Sequence, residues 1–173
     1  MAVISSDVKI RYSGGATNAI ADASLGGVMS SVGITPGADA NLFDNVSAGE
    51  ATAGEVTYRC CYVFNSNAAD TLNTASVWLS ANTPSPTTDV EIGLDPAGVG
   101  NGSTTGVAAV IADEADAPAG VTFFPAANAG DALAIGNLGP LTGRGVWIKR
   151  TVTAGAGAYA DDGCTLAVKG TPA

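Results

Sequence analysis

The stretch TYRCCYVFN at residues 57–65 decides the fold class of this chain. Aromatic, cysteine and β-branched residues, which favour strands, fill it with little polar relief. This composition is typical of a strand that is buried on both faces, or that is covered on one face by a neighbouring subunit. Cys60 and Cys61 are adjacent, so their side chains are expected to point to opposite faces of the strand.

Outward from this stretch, apolar and polar residues alternate in several short segments, which is the pattern of half-buried strands. Strands are expected at residues 7–12, 74–80, 90–94, 121–124, 132–135, 145–153 and 164–169. The last two are expected to pair with each other across a glycine-rich loop. Trp147, Lys149 and Thr151 lie on one side of residues 145–153, and Arg150 is the one break in the aliphatic side. One short helix at most is expected, at residues 107–115.

Seven or eight short strands separated by turn sequences predict an all-β fold. The chain of 173 residues is long enough for one domain with a substantial core. We therefore predict a single-domain antiparallel β-sandwich or jelly roll spanning residues 1–173.

Residues 14–54 do not fit this strand pattern, because they are small, polar and rich in glycine. Loops of that length are uncommon in a compact domain unless they are functional. We predict a long arm or connection that is ordered by lying across its own domain or across a neighbouring subunit. If it serves mainly to bind a partner, its deletion should leave a soluble β protein that no longer binds that partner. Its apolar anchors are Leu25, Val28, Met29, Leu42, Phe43 and Val46.

The charge of the chain argues against several kinds of partner. The formal net charge is −9, and the seven lysines and arginines are scattered singly. Nucleic-acid binding needs a concentrated basic patch, so none is expected. The first residues lack the pattern of a secretory signal, and no apolar run approaches the length of a membrane span. We therefore expect a soluble protein that is made in the cytosol.

Catalytic chemistry is poorly represented in the sequence. Histidine is absent, so the commonest general base and metal ligand is missing. The three cysteines have no framework spacing and are expected to be reduced, packed thiols, although a bridge from Cys60 or Cys61 to Cys164 stays open. No cofactor is expected.

Acidic clusters leave two alternatives to consider. Paired carboxylates could serve a glycosidase, and the candidates are Asp113, Glu114 and Asp116, or Asp161 with Asp162. Oxygen-rich loops could hold calcium, and the candidates there are Asp39, Asn41 and Asp44, or again Asp161 with Asp162. All three clusters lie in loop-like sequence, where turn formation is the favoured interpretation. The sequence therefore predicts neither a catalytic residue nor a metal ligand.

Binding to other proteins is the remaining class of function. Trp78 and Trp147 lie on the otherwise polar sides of their strands. Large aromatic residues there mark either a contact surface or the second buried face of a sandwich, and the sequence leaves both open. The candidate partner-binding residues are Leu25, Met29, Leu42, Phe43, Trp78 and Trp147.

Three phrases of the sequence resemble a known group of proteins. They are NLFDNVSAGEATAGEVTYRCCYVFNSN (41–67), ASVWLSANTPSPTTDVEIGLDP (75–96) and GVWIKRTVTAGAGAYADDGCTLAVKG (145–170). These phrases resemble small structural proteins encoded in the morphogenesis regions of tailed phages and prophages. The resemblance implies a non-enzymatic virion component, most similar to capsid decoration (cement) proteins, which commonly sit as trimers on the shell.

That resemblance implies a location and partners as well. The protein would be made in the host cytoplasm and would bind the major capsid protein, or other virion subunits, on the outer surface of the capsid. Two alternatives remain at this point: a tail, baseplate or host-receptor-binding module, and a hydrolase acting on cell-wall sugar.

Overall fold

A computed structural model describes residues 2–159 and 162–173 of the chain. A single 3-10 turn at Ser5–Asp7 precedes the first strand. In the described part of the chain the regular elements are β1 (Val8–Tyr12), β2 (Gly26–Gly27), α1 (Ala48–Ala53), β3 (Glu55–Asn65), β4 (Leu72–Ala81), β5 (Thr88–Gly100), β6 (Ala108–Val110), β7 (Leu133–Leu138), β8 (Gly143–Val152) and β9 (Thr165–Pro172).

Two antiparallel sheets pack face to face to form the body of the molecule. One has four strands in the order β1-β3-β8-β5, and the other has three strands in the order β7-β4-β9. The chain crosses between the two sheets from β3 to β4, from β4 to β5, and again on either side of β8. The predicted all-β sandwich is therefore confirmed.

The main core lies between these two sheets. Alternate residues of each strand point inward, as the period of two requires. The four-stranded sheet contributes Cys61, Val63, Val90, Ile92, Val146 and Ile148. The three-stranded sheet contributes Ala75, Val77, Leu79, Ile135 and Leu138.

A second layer covers the outer face of the four-stranded sheet. We call it the cap layer, and it consists of residues 13–32 and 101–124, which include the two-stranded sheet of β2 and β6. Beneath it lies a second core of Cys60, Tyr62 and Trp147, against which Leu25, Met29, Ala108, Ile111, Val121 and Phe123 pack. The middle of β3 is thus buried on both faces by its own chain, and Cys60 and Cys61 lie on opposite faces as predicted.

The predicted pairing of residues 164–169 with 145–153 is wrong. In the structure β9 pairs with β4, with Trp78 opposite Ala167, while β8 lies between β3 and β5. Both β8 and β9 alternate as strands should, but alternation does not identify the partner strand. The strands are consecutive in the sequence and belong to opposite sheets.

The helix expected at residues 107–115 is also wrong. That segment contains β6 and turns, and the amide of Ala109 donates to the Asp95 carboxylate at 3.0 Å. The helix of the described chain is instead α1, inside residues 14–54. Its start carries a capping box, in which the Ser47 hydroxyl accepts from the Glu50 amide and the Glu50 carboxylate accepts from the Ser47 amide.

Residues 121–124 form a single bridge rather than a strand. The amide of Phe124 donates to the carbonyl of Ile92 and the amide of Ile92 donates to the carbonyl of Phe124, both at 2.9 Å. This short contact covers part of the outer edge of β5. None of the helices in the described residues is long and apolar enough to cross a membrane.

Candidate functional site

Most of the predicted partner-binding residues contact the protein's own cores. Leu25 and Met29 pack against the second core beneath the cap layer, whereas Leu42 and Phe43 pack against the main core. The arm of residues 14–54 therefore lies across its own domain. Its first half is part of the cap layer, and its second half covers one end of the sandwich.

The two tryptophans have different environments. Trp147 is 0% exposed and belongs to the second core, so the contact-surface interpretation is wrong for this residue. Trp78 is half-buried on the outer face of the three-stranded sheet, where the Lys169 ammonium lies 5.6 Å from its ring centroid. Of the two, only Trp78 presents surface to a partner.

Asp95 fixes Trp147 and the cap layer to each other. Its Oδ2 accepts from the indole Nε1 of Trp147 at 2.9 Å and from the amide of Ala109 at 3.0 Å. Its Oδ1 accepts from the amide of Ala97 at 2.9 Å. A buried carboxylate needs such donors to offset its loss of water, and here they come from β8, β6 and β5 itself.

Two hydroxyl groups bind the cap layer to β3 in the same way. Tyr62 donates to the Gly27 carbonyl at 2.7 Å and accepts from the Ala108 amide at 2.7 Å, so one phenol holds both strands of the two-stranded sheet. Ser13 donates to the Cys60 carbonyl at 2.9 Å and accepts from the Gly26 amide at 3.1 Å. Burial raises the pKa of the Tyr62 phenol, which keeps it protonated as a donor.

A buried arginine holds the second half of the arm. Arg150 is 7% exposed, and its Nη1 donates to the Asp44 carbonyl at 2.6 Å. Its Nη2 lies 3.3 Å from the Asp44 carboxylate, and its guanidinium lies 4.9 Å from the ring centroid of Phe43. The Nε group donates to the Thr57 hydroxyl at 3.2 Å. Residues of the arm thus supply most of the partners of the Arg150 guanidinium, which the sheet buries.

Arg59 forms a second such site, 2% exposed on β3. Its guanidinium makes an ion pair with Glu114 of the cap layer and lies 3.7 Å from the carboxylate of Asp22 on the arm. It also lies 5.9 Å from the Phe43 ring centroid, so Phe43 contacts both guanidiniums. We refer to Arg59 and Arg150 as the arginine pair.

The carboxylates considered for catalysis or calcium binding have other partners or are exposed. Glu114 and Asp44 pair with the arginines, the Asp113 carboxylate caps a turn at the amide of Ala115, and Asp162 accepts from the Thr83 hydroxyl. In the residues that the structure describes, no group of three or more acidic, cysteine or histidine side chains is arranged to hold a metal ion. Asp161 lies outside the described residues.

The cysteines differ in their exposure. All three are free thiols; Cys60 and Cys61 are buried, whereas Cys164 is exposed, so the packed-thiol prediction is wrong for Cys164. Burial raises the pKa of Cys61 to about 12 and raises that of Cys60 as well. Neither buried thiol is a nucleophile at neutral pH, because the reactive species is the thiolate.

Besides Trp78, several surface features of the described residues are available for binding. Ile20 and Val110 expose 62% and 74% of their surface on the cap layer. An open cleft of about 400 Å³ lies between residues 19–22 and 35–44 of the arm, beside Tyr12. A smaller groove of about 240 Å³ runs beside the end of β9, and its lining includes Val3, Val8, Leu72 and Val168.

The sequence analysis missed the polar groups that hold the arm in place. Arg150 was visible as a break in the aliphatic side of its strand, and a buried strand with one charge signals a charge partner elsewhere in the chain. Asp95 and Arg59 gave no comparable signal, because their partners come from residues that are distant in the sequence.

Comparisons with protein-family models, with curated proteins and with solved structures gave no match to this chain.

Proposed function

We propose that this protein is a non-catalytic structural subunit that binds the assembled shell of a tailed-phage capsid as a decoration protein. The observation that carries the proposal is the cap layer: exposed apolar side chains lie on its surface, and buried polar anchors hold it rigidly from below. A rigid surface loses little conformational entropy on binding. Such a platform suits repeated binding to a lattice.

The resemblance of residues 41–67, 75–96 and 145–170 to phage structural proteins supports a virion role. In the fold these phrases supply α1, β3 and most of β4, β5, β8 and β9, so they make up much of the sandwich body. A protein that binds only the assembled lattice adds its binding free energy to particle stability. Repeated sites on a symmetric shell also make weak single contacts effective. The resemblance further suggests that copies bound to the shell are grouped as trimers.

The location in the particle is tested by cryo-electron microscopy of virions from the phage or prophage that encodes this chain. The proposal expects symmetric copies of the sandwich on the outer shell. A few copies at the tail or portal vertex would instead favour a tail, baseplate or receptor-binding module. Absence of the protein from purified virions would contradict both.

The binding face is tested by substitution on the cap layer. Ile20→Asp and Val110→Asp each place a charge on the proposed contact surface, and we expect each to weaken co-sedimentation with shells that lack the protein by about tenfold or more, since an unpaired charge in an interface costs several kcal/mol. Leu141→Asp is the matched control, because Leu141 is 51% exposed in the turn between β7 and β8. Equal loss in all three variants would contradict the proposed face.

A further inference from the structure

The outer edges of the two main sheets are not equally protected. The edge of β1 is covered by residues 32–34, because the Tyr12 amide donates to the Val32 carbonyl and the Ile34 amide donates to the Ile10 carbonyl. The edge of β5 is covered at Ile92 by the bridge to Phe124. On β7 the Ile135 carbonyl accepts from Arg144 Nη1 at 3.1 Å. Three of the four outer strands therefore have partners at their edges.

Strand β9 is the exception. Within the described residues, its backbone makes no inter-strand hydrogen bond beyond its pairing with β4, and most of the strand is exposed. An edge strand of eight residues with free backbone groups is a template for pairing with another extended chain. Edge strands in soluble proteins are normally blocked.

The register of the sheet shows which groups of β9 are free. The Leu79 amide donates to the Ala126 carbonyl at 2.9 Å, which lies on the side of β4 away from β9. Leu79 pairs with Leu166 and Val77 pairs with Val168, so these are the pairs without mutual hydrogen bonds. The N–H and C=O groups of Leu166 and Val168 therefore point outward from the sheet.

The side chains of the same two residues point inward and are incompletely covered. Leu166 and Val168 pack against the main core but are only half-buried. The three-stranded sheet is one strand narrower than the sheet that it faces. The groove lined by Val3, Val8, Leu72 and Val168 lies at this side of the sandwich. An added strand would bury these apolar side chains and pair the free backbone groups at once.

We propose that this strand belongs to a second copy of the chain, with β9 pairing antiparallel to β9 of that copy. Charge supports this occupant: the net charge of −9 opposes self-association at most surfaces, but neither β9 nor the lining of the groove contains a carboxylate. Among the outer strands of the two main sheets, as far as the structure describes them, β9 has the most open edge, so we assign the pairing of identical chains to it. Pairing of identical strands produces a two-fold dimer with one continuous six-stranded sheet.

The dimer is tested by sedimentation velocity over a concentration series of the full chain. The proposal expects a monomer–dimer equilibrium. Ala167→Lys places a cation on the outer face of β9 in both copies, close to Lys169. We expect this substitution to raise the dimer dissociation constant by at least about tenfold. The repulsion between like charges in an interface costs more than the roughly 1.4 kcal/mol that corresponds to a tenfold change.

Ala134→Lys is the matched control, because Ala134 is on the same face of the same sheet at its opposite edge, on β7. It makes the same change in net charge and should alter the dissociation constant by less than about twofold. Far-UV circular dichroism checks that both variants retain the fold. Equal weakening by both variants would contradict the proposed interface.

Hydrogen exchange supplies a second test that needs no substitution. The amides of Leu166 and Val168 should gain protection as the concentration of the full chain rises, whereas Ala167 and Lys169, which face β4, should be protected throughout. A chain that stays monomeric, or a trimer in which the Leu166 and Val168 amides exchange freely, would overturn this inference and leave the proposed shell binding intact. Protection that appears only on shells would assign the edge to a capsid strand instead.

Discussion

The glycine-rich arm is held in place more firmly than its sequence suggests, whereas the last strand, β9, is less completely paired than its sequence suggests. Residues 14–54 lack a regular apolar–polar pattern, yet Asp44 and Phe43 contact the buried Arg150. The Gly26 amide also donates to the Ser13 hydroxyl, and the Gly27 carbonyl accepts from the Tyr62 hydroxyl. β9 alternates as a strand should, yet one of its edges is open. The comparison teaches that a segment of this chain is held in place by hydrogen bonds and ion pairs with the sandwich, more than by its own apolar–polar pattern.

The folded arm changes the expected result of deleting it. Removal of residues 14–54 would uncover Cys60, Tyr62 and Trp147 and would leave the arginine pair without Asp22, Phe43 and Asp44. We therefore expect an aggregating protein rather than a soluble body. Point substitutions are the better way to separate the arm from the sandwich.

The largest effect is expected for Trp147→Ala beneath the cap layer. Removal of this buried indole leaves a cavity and removes one donor from Asp95, which should lower the free energy of unfolding by about 3–5 kcal/mol. Urea unfolding followed by far-UV circular dichroism measures the change. Trp78→Ala is the control and should cost less than about 2 kcal/mol, because Trp78 is only half-buried. Equal losses would mean that the cap layer contributes little.

Arg150→Met should have the next largest effect, since it separates the arm from the end of the sandwich. The Asp44 carbonyl and the partly buried Glu55 carboxylate lose their cationic partner, and we expect a loss of about 2–3 kcal/mol of unfolding free energy. Faster amide exchange in residues 42–54 should accompany it. Arg11→Met provides the comparison, because the contact that the structure describes for the Arg11 guanidinium is its stacking on Phe64 at 4.0 Å, and its loss should cost under about 1 kcal/mol.

Tyr62→Phe tests the anchor between β3 and the two-stranded sheet. The variant keeps the ring but leaves the Ala108 amide and the Gly27 carbonyl without the phenol, at a cost of about 1–2 kcal/mol. Hydrogen exchange should show the change at the Ala108 amide, with little effect on β9. Tyr159→Phe, on a 51% exposed side chain, should leave stability and exchange unchanged.

Glu55→Gln should give the smallest change, and in the stabilising direction. Burial, followed by the nearby Glu50 carboxylate, raises the pKa of Glu55 above its ordinary value of 4.5. The folded state then binds the proton more tightly than the unfolded state, so this stabilisation is present below pH 4.5 and is lost as the pH rises through the raised pKa. Glutamine needs no proton to stay neutral, and we expect a gain of about 1–3 °C in Tm at pH 7.

The pH dependence of that gain distinguishes it from a general packing effect. At pH 3 and below, where a carboxyl group with a pKa of 4.5 or higher is almost fully protonated in both states, the variant and the parent chain should unfold at the same temperature. Thermal unfolding at pH 3 and pH 7 measures both differences. A gain that is identical at the two values would show that ionisation of Glu55 is not its cause.

The strands were largely predictable, and their partners were not. Residues 57–65 predict a strand that is buried on both faces or covered by a neighbouring subunit, because six of the nine side chains are tyrosine, cysteine, valine or phenylalanine. In the structure β3 is buried on both faces. The pairing of β9 with β4 depends on the order of strands in the sheet, and the alternation of side chains in β9 carries no information about that order. The second layer over Trp147 depends on Asp95, whose partners on β6 and β8 follow it at distances of 14 and 52 residues.

The adjacency of Cys60 and Cys61 gives the molecule two internal reporters of opening. Cys60 lies beneath the cap layer and Cys61 lies between the sheets, and each thiol must reach solvent before it can react. In a Cys164→Ser background, the labelling rate of Cys60 would therefore measure how often the cap lifts, while that of Cys61 would measure how often the sandwich parts. Two neighbouring residues of β3 thus report separately on the opening of the cap layer and on the separation of the two sheets.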